Sequence, residues 1–339
     1  MPCHSTAFDI SFMIKRYGIF LAFLIVFMCS TACEGDDYKE YIPANIIFVK
    51  DSIPYSEYLD TTFWRSYSPD KNKMTIEKWV EDNVSPGQGF DAYGNYIFGI
   101  SAGMNSLTVS NLSSRSFVSS SSTELGFVPA RHCNCQNFTT EFLFPEDDIP
   151  LLLVSGSESR KGEDLIGESY LMRIVWNGYE FKATLVQTIT TVPGTYTDAN
   201  GNQFSFGKYS NIMVDRKSGH IFVINGSNIF EMKLPPLYDN NGNIISQTNL
   251  TTENIIRRIG FKYKTKWAQG ACLHEGIAYI VDGVSHNNLQ VIDISSGKVL
   301  AFIRMVDIGF DYELEDITFW KGHMIICGPS TSIYKVCWE

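Results

Sequence analysis

From residue 88 onward, apolar and polar positions follow one recurring scheme. A short polar lead opens into an apolar run, a turn, a second run and then a third. The clearest copies span 89–109 ("GFDAYGNYIFGISAGMNSLTV"), 211–232 ("NIMVDRKSGHIFVINGSNIFEM") and 270–294 ("GACLHEGIAYIVDGVSHNNLQVIDI"). Another at 316–336 ("DITFWKGHMIICGPSTSIYKV") closes the chain, and a fifth, at 138–186, carries two longer insertions. The runs are only about four to seven residues long, rich in Ile, Val, Phe, Tyr and Leu, and bounded by Gly, Asn, Asp and Ser, which makes them strands joined by hairpins rather than helices. Copies of roughly 40 to 60 residues, each worth about four strands, have the size of propeller blades, whose radial packing leaves few exposed edges. The pattern therefore predicts an all-β fold, a five-bladed β-propeller. The last copy has three strands, and the lone apolar segment "ANIIFVKDS" near residue 48 is expected to supply its fourth. Residues 74–82 ("MTIEKWVED") have mixed periodicity and fit a short helix or an outer strand.

Three turns share the form D-x-x-G-N, at 91–95, 198–202 and 239–243. Asn200–Gly201 and Asn241–Gly242 read as type I′ hairpin turns, which require positive φ at both central residues. The glycine falls too early for a calcium loop of the EF type, so plain turns are expected.

The region ahead of the repeats has a different pattern. Lys15 and Arg16 precede an apolar run from Ile19 to Met28, followed by Ser30, Thr31, Ala32 and Cys33. That run is about half of what a membrane-spanning helix needs, so residues 1–32 read as a signal peptide, with Met13 the expected true start. Small residues before Cys33 and acidic Glu34, Asp36 and Asp37 after it resemble a bacterial lipobox of the loose Bacteroides type, Ser30 replacing the usual Leu. The resemblance implies lipid on Cys33, a tether over 33–44, one domain over 45–339, and a place in the cell envelope, at the outer membrane.

Charge narrows the partners. The chain carries 27 Lys plus Arg against 37 Asp plus Glu, a formal net charge of −10. Loss of Lys15, Arg16 and Asp9 with the signal peptide leaves the remainder one unit more negative. So acidic a surface repels phosphate backbones, and nucleic acid is excluded as a partner. A monomer is expected. Beyond Cys33 stand Cys133, Cys135, Cys272, Cys327 and Cys337, an odd number without a disulfide spacing, and they are expected to be small buried hydrophobes. Cys133 and Cys135, two apart on a strand, should share a face.

Several segments resemble the five-bladed propeller shared by staphylococcal-phage receptor-binding proteins and teichoic acid biosynthesis protein C. "GQGF" at 87–90 and "AQGAC" at 268–272 are similar to its Q-G strand openings, and "RHCNCQNF" at 131–138, with "PLLLVSG" at 150–156 and "LVQTI" at 185–189, to its H-C-N-x-x-N-F blade. "VIDISSGKV" at 291–299 and "ELEDITF" at 313–319 fit its last two blades, with Asp316 where the family more often has Gly. The resemblance covers about residues 84–338 and implies association with cell-surface glycopolymers; it carries over no catalytic residue.

Candidate chemistry is sparse. His132, Cys133 and Cys135 have metal-ligand side chains but lack an evident fourth ligand, so packing is the expected role and no metal or other cofactor is assigned. Glu313, Glu315 and Asp316 form an acidic group that reads as a solvated turn, although paired carboxylates can share acid and base roles in glycoside hydrolysis. No nucleophile elbow or phosphate loop occurs, and nothing demands an enzyme. The strongest site candidate is the set of polar residues standing at the start of each copy: Gln88, His132 with Asn134, Asn211, Gln269 and Glu315. Inner strands of a propeller line its central channel, so these should ring one mouth and bind a sugar or amide ligand, with Trp267 and Tyr93 available for stacking. The resulting expectation is a lipid-anchored module that binds a cell-surface glycopolymer or other polysaccharide. An enzyme acting on such a polymer, or a scaffold for another envelope protein, are the alternatives.

Overall fold

A computed structural model of the chain describes residues 61–68, 73–80, 88–123, 132–157, 167–207, 211–262, 268–282, 287–328 and 332–338. The signal peptide, Cys33, the tether, the segment near residue 48 and Trp267 lie outside the described residues.

Five sheets, antiparallel but for one added strand, are each built around one of the five sequence copies. Blade I comprises Gly89–Tyr93, Tyr96–Ile100, Ser106–Asn111 and Ser116–Ser122. Blade II comprises His132–Phe138, Leu152–Ser157, Gly167–Trp176 and Phe181–Thr191, and Gln247–Leu250 adds a fifth strand parallel to the last. Blade III runs through Asn211–Val214, His220–Asn225, Asn228–Lys233 and Ile255–Gly260, and blade IV through Ala268–His274, Ile277–Asp282, Asn288–Asp293 and Lys298–Arg304. Blade V combines Asp316–Trp320, His323–Cys327 and Ile333–Trp338 with Met74–Val80. The propeller with five blades is thus observed.

The closing strand differs from expectation. Met74–Val80 pairs antiparallel with Ile333–Trp338, Met74 opposite Trp338 and Val80 opposite Ile333, and so takes the place expected for the segment near residue 48. Only Met74 and Val80 of that strand are buried, the residues between them being intermediate or exposed, which is why its periodicity is mixed. Just ahead of it, the short helix Thr61–Ser66 inserts Trp64 into the core, an element that the hydrophobic pattern does not mark.

The apolar runs are explained by where successive side chains go. Side chains alternate between the two faces of a strand, and each blade is covered on both faces by its neighbours. In blade II Leu152 and Val154 pack toward blade I, while Leu151 and Leu153 pack toward blade III. In blade III Ile212 faces blade II and Met213 faces blade IV. Five hydrophobic clusters correspond to the five interfaces between consecutive blades, the last joining Val80, Trp320 and Ile325 of blade V to Phe90 and Ile97 of blade I. Burial on both faces leaves nearly continuous apolar strands such as Ile277–Asp282, buried throughout.

The axis is packed, not open. The inner strands touch so closely that a Cβ on Gly89 would lie 2.6 Å from Gln136 Nε2, and one on Gly270 2.0 Å from Asp316 Oδ1. The expected polar-lined channel is therefore absent among the described residues, because glycine, Cys133, Cys135, Asn137 and Asp316 fill the space between blades.

Two local readings also change. A β-bulge between Cys133 and Cys135 inserts Asn134 as an extra residue, so the two cysteines face different interfaces instead of one. The turns 198–202 and 239–243 place only their glycines, Gly201 and Gly242, at positive φ. They are longer turns in which Asp198 Oδ1 accepts from the backbone N–H groups of Asn200 and Asn202, as Asp239 does from Asn241 and Asn243. That carboxylate bonding selects a turn with a single left-handed residue over the type I′ form.

Candidate functional site: a polar rim at the start of the inner strands

The inner strands of the five blades begin at one end of the axis, which brings the sequence-selected polar residues to one rim. Bulges aim two of them. Asn134 is the extra residue in blade II, and the register shift between Ala268 and Ala271 puts Gln269 and Gly270 in a second bulge in blade IV. Bulges re-aim side chains and locally break pairing, which is what a rim needs from a strand that otherwise points every residue at a neighbouring blade.

Three blades are linked directly. Asn211 Nδ2 donates to the carbonyl of Ala268, the residue before Gln269. Gln269 Nε2 donates to Glu313 Oε1 at 2.7 Å. Glu315, two residues on, is held by its backbone N–H on the Cys327 carbonyl at 3.0 Å. On the other side, the Asn134 carbonyl lies 2.9 Å from where a Cβ on Gly89 would stand, next to Gln88. His132 pairs with Ser157 through its strand, and its side chain lies outside the described part. Tyr93 ends its strand and packs on Phe138 at 5.5 Å between centroids, so it belongs to the opposite end of the axis rather than to the rim.

Asn134, Asn211 and Glu315 are buried yet incompletely bonded. Asn134 and Asn211 are each 8% exposed and Glu315 only 3%. Gln88 Oε1, Asn134 Oδ1, Asn211 Oδ1 and Glu315 Oε2 have no hydrogen-bond partner among the described residues. An unsatisfied buried polar atom costs about 1–3 kcal/mol, so four on one rim form an expensive arrangement unless something else bonds them. Three of the four are amide oxygens, which only accept, whereas Glu315, its carboxyl held protonated by burial, also has an O–H to donate.

Glu315 is also electrostatically strained. Burial, and next the charge of Glu313, push its carboxyl up to about 8. The acidic group at 313–316 is thus not a solvated turn. Asp316 is fully buried on the axis, where it accepts from the N–H groups of Phe90 and Ile317 at 2.9 and 2.8 Å, and burial raises its pKa well above the usual carboxylate range. It serves the packing between blades V and I, leaving Glu313 and Glu315 at the rim. Glu313 was legible as part of the acidic group, but only the Gln269 contact assigns it to this site.

The other mouth carries a cavity of about 40 Å³ lined by Asp91, Asn137, Arg216, Lys217, His274 and Phe319, among others. Its charges are matched internally: Arg216 Nη2 meets Asp91 Oδ2 at 2.5 Å, and Lys217 pairs with Glu275. His274 stacks on Phe319 at 4.1 Å, and burial lowers its pKa to about 3, keeping the ring neutral. The thiols nearest the axis are unlike metal ligands. Cys135 Sγ donates to the Ala271 carbonyl at 3.1 Å, and burial raises Cys133, Cys135 and Cys272 far above the ordinary thiol range.

No family model matches the chain, and no curated protein does. Among solved structures, it is similar to the glutaminyl cyclase of Myxococcus xanthus, at 10% identity and a TM-score of 0.45, covering 79% of this chain and 97% of that one. It is similar to the PQQ-bound aldose sugar dehydrogenase of Streptomyces coelicolor at 11% identity and 0.42, covering 80% and 100%. A Bacteroides thetaiotaomicron protein of unknown function matches at 11% and 0.42, covering 79% and 76%. Likenesses this remote transfer no residue and no activity. The class defined by the chain's own sheets is the five-bladed β-propeller.

Proposed function

We propose that this propeller is a binding module of the bacterial envelope, lipid-anchored through Cys33, that recognises a glycan or other polysaccharide at the rim formed by Gln88, His132, Asn134, Asn211, Gln269 and Glu315. The observation that carries the reading is the set of buried, unpartnered oxygen acceptors on Gln88, Asn134, Asn211 and Glu315 at one end of the axis. Sugar hydroxyls supply hydrogen-bond donors, and convergent polar groups on an apolar scaffold are the usual form of a small-ligand site. The H-C-N-x-x-N-F segment at 132–138 supports kinship with glycopolymer-associated propellers, and the lipobox-like stretch before Cys33 supports residence at the envelope.

A panel of surface polysaccharides tested against the purified chain, once for retention and once for released product, decides between binding and catalysis. Retention without product is expected, and the double variant Gln88→Ala with Gln269→Ala should weaken it by about 1–3 kcal/mol. Unchanged affinity in that variant moves the site away from the rim, and product release makes the protein an enzyme. Metabolic lipid labelling should vanish in Cys33→Ala; labelling that survives removes the anchor.

A further inference from the structure

One crossing on the rim face holds an aromatic ring out of the core. Residues 305–315 lead from the outer strand of blade IV to the inner strand of blade V, whose start marks the rim. Asn287 pins the segment 310–314 at both ends: its Nδ2 donates to the Phe310 carbonyl at 3.1 Å, and its Oδ1 accepts from Leu314 N–H at 2.9 Å. Phe310 N–H donates to the Met305 carbonyl at 3.0 Å, and Gln269 of blade IV holds the Glu313 carboxylate at 2.7 Å. Gly328 closes against the same segment, where a Cβ would lie 2.8 Å from the Glu313 carbonyl oxygen and 3.2 Å from Tyr312 Cβ. Between these fixed points Tyr312 is 51% exposed, its ring edge-on to buried Phe310 at 5.8 Å and 6.3 Å from Tyr334. Carboxylates flank it, exposed Asp311 on one side and half-buried Glu313 on the other, each one Cα step of about 3.8 Å away.

A tyrosine held in this way offers a large contact area at little ordering cost, and binding residues concentrate on loops that a rigid scaffold positions. A pyranose ring fits it on chemical grounds. Its C–H face is apolar and can lie on the aromatic ring, while the hydroxyls around its edge can donate to ionised carboxylates, which only accept. The same two carboxylates repel an anionic sugar. We infer that Tyr312 is the stacking residue of the rim, taking the C–H face of a neutral pyranose unit whose hydroxyls donate to the flanking carboxylates. The inference rests on the proposed glycan-binding reading and adds to it a class of sugar and a contact with open surface.

The test titrates the purified full chain by calorimetry with four hexamers: β-1,4-linked glucose, β-1,4-linked mannose, β-1,4-linked glucuronate, and β-2,1-linked fructofuranose. At least one of the two neutral pyranose hexamers should bind about tenfold or more tightly than the glucuronate and the furanose. Tyr312→Ala should weaken that binding at least about tenfold, and Tyr312→Phe, which keeps the ring, should stay within about threefold of wild type. Tyr179→Ala, on an 80% exposed ring at the hairpin joining Gly167–Trp176 to Phe181–Thr191, should change nothing. Wild-type affinity in Tyr312→Ala, an equal loss in Tyr312→Phe or Tyr179→Ala, or equally tight binding of the glucuronate or furanose hexamer overturns the inference. Wild-type affinity in Tyr312→Ala together with a loss in the Gln88→Ala, Gln269→Ala double variant leaves the glycan reading standing without Tyr312. Absence of binding by all four hexamers overturns both.

Discussion

Gly270 and Asp316 meet across the propeller axis with no room between them, since a Cβ on Gly270 would lie 2.0 Å from Asp316 Oδ1 and 2.5 Å from its Cα. The second distance matters more, because a backbone atom cannot rotate aside. Gly270→Ala must push blades IV and V apart where these inner strands meet, and overpacking of this kind costs about 1–3 kcal/mol or more. Urea unfolding should show a lower midpoint at unchanged m-value. Wild-type stability in this variant would mean that the axis is looser than described.

This contact also shows what the sequence reveals and what it hides. The blades are legible because burial on both faces leaves runs such as "HMIIC" and "IAYIV" with the length and composition of strands. The rim residues are legible because each stands at the start of an apolar run. The bulges at Asn134 and Gln269 are not, since an extra residue inside a strand leaves the hydrophobic pattern intact while turning side chains to a new face. Burial of Asp316 is hidden for a related reason. Beside Glu313 and Glu315 it reads as solvent-facing, and nothing in the sequence announces the approach of Phe90 N–H from another blade, which joins Ile317 N–H in bonding its carboxyl away from water. The ring closure is concealed by Met74–Val80, an edge strand buried at its ends alone.

Trp64 ties the segment ahead of the propeller to the last two blades. Its indole N–H donates to the Tyr279 hydroxyl at 2.7 Å, and its ring packs edge-on against Trp338 and Phe63. Trp64→Ala should cost about 3–5 kcal/mol, the range for large aromatic truncations in a core. Tyr279→Phe, which removes only the hydroxyl, should cost about 1–3 kcal/mol because it strands the indole donor. Thermal unfolding of both variants checks the ordering; a larger loss in Tyr279→Phe than in Trp64→Ala would contradict it.

The cysteines should differ sharply in reactivity. Cys133, Cys135, Cys272 and Cys327 are buried and free, and burial keeps each protonated, whereas Cys337 is half-buried on the closing pair of strands opposite Thr75. Thiolate, not thiol, is the reactive form. Alkylation of the native chain followed by peptide mapping should mark Cys337 and spare the other four, which react only after denaturation. Prompt native labelling of Cys135 would place solvent on the axis and contradict its packing.

Stability should also depend on pH through Glu315. Its carboxyl titrates near 8 in the folded chain, pushed up first by burial and then by Glu313, against an ordinary value of 4.5. A raised folded pKa means that the folded state holds the proton more tightly than the unfolded one. The stabilisation is therefore fully present below about 4.5 and is lost as pH rises through about 8. Glu315→Gln keeps a neutral side chain of the same size at every pH, so the difference in unfolding free energy between variant and wild type should move in the variant's favour across that window. Asp316, whose pKa is raised by burial, contributes a loss of the same sign and remains in both proteins, so the comparison isolates Glu315. Glu313→Gln removes only the second cause; it should draw the upper end of the window down without closing it. Denaturation midpoints at pH 5, 6.5 and 8 suffice to measure this. A constant difference between wild type and Glu315→Gln over that range would mean that the Glu315 carboxyl is ionised at the rim throughout, and that burial does not hold its proton.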